Sequence, residues 1–181
     1  MSRITVPKDL TDEQRPVAEE IIKTIGQLGG PYGAWINWPE LARRIHHLSN
    51  YFRVDAAIPD KLRLLAVLVT IRHWGADFPW SAQVPQALAA GLPQATVAAI
   101  GEGKMPSITD LDEEAVYQVA SELLERRTLS DATYRRALDR LGQGVLTELV
   151  ALVGHFTTVS LTAIAFAIEP AKAPPVPLRK L

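Results

Sequence analysis

The sequence predicts an all-α domain of roughly eight helices. Three observations predict it. No stretch alternates apolar and polar residues convincingly enough for a strand. Apolar residues recur instead at helical spacing: Leu41, Ile45, Leu48 and Phe52 fall at i, i+4, i+7 and i+11. And the run Leu62-Arg63-Leu64-Leu65-Ala66-Val67-Leu68-Val69-Thr70-Ile71 is greasy on every side of a helical wheel. A segment of that kind belongs in the middle of a protein.

Each helix has a start and a stop. Thr11-Asp12-Glu13-Gln14 reads as a capping box, with Thr11 and Gln14 satisfying each other's amides, and its helix runs to about Gln27 before Gly29-Gly30. An aromatic-rich connection, Pro31 to Trp38, leads to Pro39 as the first residue of the striped helix. Pro59-Asp60 opens the central helix and Gly75 closes it, with Arg72 and His73 well placed for the helix dipole. Another runs from Asp77–Pro79 to about Ala90, with Pro85 inside it and Trp80, Gln83, Val84, Ala87 and Leu88 on one face. Short helices follow over 94–100, about 112–126 and 130–141, and a last one over about 144–168. The organisation is an arm over 1–10, a helical domain over 11–168 and a proline-rich tail over 169–181.

The totals exclude several functions. The 181 residues suit one domain. A net charge of −1 gives no electrostatic footprint for nucleic acid. The absence of cysteine removes disulfides, thiolate metal sites and thiol-based peroxidase chemistry. The N-terminus has no apolar signal core, which fits a cytoplasmic protein. Leu149 to Ile168 has the length of a membrane span, but Gly154, His155 and several hydroxyls favour a buried helix, with no membrane contact. His46-His47 point to different sides of a helix, the wrong spacing for two ligands on one metal. In the tail, Pro174 to Arg179 matches a P-x-x-P-x-R pattern, read either as a ligand for an aromatic groove or as a tail lying on its own protein.

Five stretches, taken together and in order, resemble the carboxymuconolactone decarboxylase superfamily, which also contains the AhpD alkylhydroperoxidases. They are Gly30-Pro31-Tyr32-Gly33-Ala34-Trp35; Pro39-Glu40-Leu41-Ala42; Arg72-His73-Trp74-Gly75-Ala76; Phe78-Pro79-Trp80 leading through Val84-Pro85 to Ala90-Gly91-Leu92; and Leu152-Val153-Gly154-His155-Phe156-Thr157. The chain departs from the family where its chemistry sits. Ala76 and Pro79 occupy the region of the peroxidase C-x-x-C pair, and Leu64 replaces a glutamate. Pro79 and Gln83 stand where decarboxylase-like branches usually carry Glu and His. The resemblance is therefore to a cysteine-free, diverged decarboxylase-like branch.

That resemblance implies an AhpD-like helical bundle that assembles as a trimer or hexamer, with a pocket near the end of the central helix. It implies a lyase without metal or organic cofactor, of an aromatic-catabolic kind, acting on a lactone or unsaturated carboxylic acid by decarboxylation or proton transfer. An isomerase or eliminase, or a non-catalytic binding or structural member, are the alternatives. The catalytic candidates are His155, His73 and Arg72. His155 interrupts a long apolar helix, and burying an imidazole is costly without a partner. His73 can move a proton or simply sit as a helix C-terminal charge. Arg72 can fork a carboxylate or pair with Asp77. The substrate-binding candidates are Tyr32, Trp35, Trp74, Asp77, Trp80, Gln83 and Phe156; Asp77 has an N-cap as its plainer role, and plain core is the plainer role of the aromatics.

Overall fold

A helix without a polar face has to be wrapped on all sides, and the chain is arranged to do so. The structure is a computed structural model that describes residues 2–180. Its elements are α1 (Gln14–Ile25), α2 (Pro31–Trp35), α3 (Pro39–Asn50), a π-helical turn (Tyr51–Asp55), α4 (Asp60–Trp74), α5 (Asp77–Ala89), α6 (Gln94–Glu102), α7 (Leu111–Arg126) and α8 (Asp131–Ala165). Among the described residues there is no strand. Every residue of α4 from Leu62 to Ile71 is buried, packed by α5, α6, α7 and α8. A second, smaller core of Val17, Ala18, Ile21, Trp35, Ile36 and Ala42 joins α1, α2 and α3.

The helix ends follow local chemistry. Thr11 and Gln14 exchange the two bonds of a capping box at 3.0 and 3.2 Å. The Asp110 carboxylate accepts from the amides of Asp112 and Glu113, and Ser130 accepts from Thr133. Asp77 does not cap α5; it is the first helical residue, and Ala76 holds the N-cap position. The two final helices expected after Ser130 form one element, bent at Gly142, whose φ of 75° and ψ of 164° interrupt the helical backbone.

One expected face is rotated. On α3 the residues turned inward are Ala42 and His46, followed by Phe52 in the π-helical turn. Leu41 and Leu48 are 45% and 42% exposed. The helix turns its polar His46 and Ser49 inward because both find hydrogen-bond partners there. α8 also presents apolar residues outward, including Val150, Leu161 and Ile164. By length and composition alone α8 could cross a membrane, and 39% of its most apolar window is buried inside the protein.

The tail is docked. Val176 is buried, the Trp80 indole donates to the Val176 carbonyl at 2.8 Å, and the Arg179 amide donates to Gly101. The proline motif thus lies on its own protein.

Glu148 fastens the turn before α4 to α8. Its carboxylate accepts from the amides of Ala57 (3.0 Å) and Ile58 (2.9 Å) and from the Tyr51 hydroxyl. Burial alone would raise this carboxyl, but the three donors hold it below the ordinary glutamate value. Glu148→Gln leaves only one oxygen to serve these donors, so chemical denaturation should show a loss of about 2 kcal/mol.

Candidate active site

A cavity of about 530 Å³ runs along the flank of α5. That volume suits a small organic molecule. The α5 wall is Phe78, Pro79, Ala82, Gln83 and Gln86; Tyr32 and Trp35 of α2 face it. His155, Phe156 and Val159 enter from α8, Ser49 from α3, and Arg53 and Arg63 close the polar end.

The α5 wall depends on a glycine. Gly30 has φ +58°, and a β-carbon there would fall 2.2 Å from the tip of the Phe78 ring. A bulkier residue would be strained in backbone and would push Phe78 from its place.

His155 is 6% exposed. Among the described residues its ring makes one hydrogen bond, between Nε2 and the Ser49 hydroxyl at 3.0 Å. The Phe52 and Phe156 rings lie 5.7 and 5.3 Å away. Burial in these surroundings pulls its pKa down to about 4, so the ring is neutral at neutral pH. Ser49 also lies 2.9 Å from the Ile45 carbonyl. Its single proton has two acceptors to choose between. Given to Ile45, it leaves His155 donating through Nε2 with a lone pair on Nδ1. Turned to His155, it makes Nε2 the acceptor and leaves the proton on Nδ1. The orientation of the hydroxyl and the tautomer of the neutral ring are therefore linked, each setting the other.

A second chain of bonds fixes Tyr32. When the Thr24 hydroxyl donates to the Glu20 carbonyl at 2.9 Å, it accepts from His46 Nε2 at 3.2 Å. His46 then carries its proton on Nε2 and accepts at Nδ1 from the Tyr32 hydroxyl, 3.2 Å away. The Tyr32 oxygen is left with lone pairs rather than a proton to offer. Burial lowers the pKa of His46 and raises that of Tyr32, with Ser49 and Arg53 opposing the rise in Tyr32. His47, its neighbour in sequence, points away and pairs with Glu20 at 2.6 Å.

At the polar end, Arg63 is 7% exposed. It donates through Nε (3.2 Å) and one terminal nitrogen (2.7 Å) to Asp60. A guanidinium has five N–H donors, so three remain. Arg53 donates to Asn50 at 2.7 Å and is otherwise exposed.

Of the residues expected from sequence, His155, Tyr32, Trp35, Gln83 and Phe156 line this one cavity. The others lie elsewhere. Trp80 is fully buried, and Trp74 donates to Thr157 at 3.1 Å. Asp77 borders a small depression with Gly75 and Ala163. Arg72 and His73 line a separate cavity, so neither meets His155, and Arg72 makes no ion pair with Asp77. Ser49, Arg53, Arg63 and Gln86 escaped sequence reasoning. Of these, Arg63 had a visible signal, as the one formal charge inside the run Leu62 to Ile71.

This arrangement is built on the AhpD-like helical fold. The structure is similar to an uncharacterized peroxidase-related protein with an AhpD core from Ralstonia eutropha, with a TM-score of 0.77 and 14% identity over 94% of this chain and 93% of that one. A peroxidase-related protein from Silicibacter gives a TM-score of 0.75 and 14% identity, covering 98% and 96%. The debrominase Bmp8 gives 0.69 and 14%, covering 92% and 90%. No protein-family model and no curated protein matches the sequence.

Proposed function

We propose that the His155 cavity is the active site of a cofactor-free enzyme that moves a proton on a small unsaturated carboxylic acid or lactone, with decarboxylation as the leading reaction. The observation that carries this reading is the hydrogen bond between buried His155 and half-buried Ser49 beside a cavity that Arg53 and Arg63 border with positive charge. Arg63, with donors to spare, anchors the carboxylate that the ligand keeps. Tyr32 accepts from a hydroxyl or protonated group on the ligand, and Gln83 orients a carbonyl. The aromatic walls exclude water.

The reaction then needs little else. The scissile carboxylate leaves as carbon dioxide, its bonding pair moves into a conjugated carbonyl, and a donor protonates the resulting carbon. An anionic ligand beside His155 raises the ring's affinity for a proton, so binding itself arms the donor. Isomerisation uses the same parts, with His155 first removing a proton and then returning it.

A non-catalytic ligand-binding protein is the second reading, favoured by Pro79 and Gln83 in place of the family's usual Glu and His. Turnover separates the two. With 4-carboxymuconolactone and related acids followed by ultraviolet absorbance, the enzyme reading expects turnover. It expects Arg63→Met to lower kcat/KM by about a hundredfold, chiefly through KM. Binding without turnover of any such acid favours the second reading. The proposal includes a cytoplasmic location and assembly with further copies of this chain, as a trimer or hexamer, through the outward apolar residues of α3 and α8. Light scattering at a mass near that of one 19.8 kDa chain contradicts that assembly.

A further inference from the structure

The cavity that Arg72 and His73 line is a second opening, about 220 Å³, between the end of α4, the end of α6 and α7. It shares no lining residue with the His155 cavity. We propose that it is a separate binding site for a short-chain organic carboxylate.

The opening holds an unmet donor. Arg72 makes no ion pair and no side-chain hydrogen bond among the described residues, and its Nε is buried without an acceptor. A buried polar atom of this kind calls for a partner. The chain also makes room for the guanidinium. Gly103, with φ +73°, closes α6, and a β-carbon there would fall 2.5 Å from a terminal nitrogen of Arg72 and 3.2 Å from its central carbon. The cationic group therefore lies close against backbone that only glycine leaves open.

Other donors line the same opening. Lys104 follows Gly103, and the hydroxyl-bearing Ser121 and Tyr117 line it from α7. Lys104 already holds Glu102 at 2.6 Å, which leaves Arg72 as the unpaired positive charge. Glu125 also borders the cavity and forms no ion pair with Arg72. Val69, Ile100 and Leu124 supply apolar lining. A planar fork of donors beside an apolar surface matches a carboxylate carrying a short hydrocarbon chain. A compact, strongly hydrated inorganic anion would leave that surface unused.

The test is a backbone-amide NMR titration of the full chain with sodium butyrate, against sodium chloride at equal ionic strength and n-butylamine as a cation with the same chain. Saturable shifts centred on Gly103, Lys104 and Ser121, given by butyrate alone, are expected. Arg72→Gln should weaken them by about tenfold or more while His155→Gln leaves them intact. The wild-type shift map decides independently of how Arg72→Gln folds. The proposal is overturned by no saturable shift at these amides, by equal shifts with chloride or butylamine, or by unchanged affinity in folded Arg72→Gln protein. None of these outcomes bears on the His155 cavity.

Discussion

Replacing His155 with glutamine is expected to abolish turnover while leaving acid binding largely in place. General acid–base groups contribute about 10²–10⁴-fold, and glutamine cannot move a proton at useful pH. The effect should therefore fall on kcat rather than KM. The same substitution has a signature in stability that needs no substrate. His155 titrates near 6.5 when unfolded and at about 4 in the fold. Between those values the unfolded chain takes up a proton that the native chain refuses. Stability therefore falls as pH drops from about 6.5 to about 4, and is fully retained above that window. The size of this loss is about 3 kcal/mol. His46, also held down by burial, adds in the same direction. Urea denaturation at pH 7 and pH 4.5 should show a smaller difference for His155→Gln than for the parent. An equal difference would mean that His155 is already charged in the native protein.

Trp80→Ala is expected to produce the largest loss of stability. Trp80 is fully buried in the main core, and its indole donates to the Val176 carbonyl at 2.8 Å. Truncation removes the ring, opens a cavity and orphans the acceptor, a loss of about 4 kcal/mol. The tail should come away with it. Trypsin would then cut at Arg179 and Lys180 faster than in the parent. Trp80→Phe keeps most of the volume and loses only the donor, so about 1 kcal/mol is expected from it. If Trp80→Ala leaves tail cleavage unaltered, the indole is not what holds the tail.

The helical fold was legible because its signals are local. Proline and glycine mark most ends, and the apolar run of α4 requires wrapping by neighbours. What escaped was orientation. A helix that is greasy all round gives no hint of which side faces a cavity. Arg63 and Arg72 are nine residues apart, about 900° around the axis, which sets them on opposite faces. α4 consequently borders two cavities, and the polar cluster at its C-terminus, the natural place to look, belongs to the smaller one. The α3 stripe misled for a related reason. Leu41 and Leu48 have helical spacing, but His46 and Ser49 have partners inside, and the helix turns toward those bonds. Ser49 and His155 are 106 positions apart, and no local pattern links them.

The central claim is that the His155–Ser49 pair transfers protons to a carboxylic acid bound in the larger cavity. Deuterium incorporation tests it most directly. An unsaturated acid or lactone is incubated with the protein in deuterium oxide and its carbon-bound hydrogens are followed by NMR. Deuterium should enter at the carbon conjugated to the carbonyl, in product or in recovered substrate, and His155→Gln should stop it. Acids that bind in the cavity yet gain no deuterium, or that gain it equally with the variant, would contradict the account.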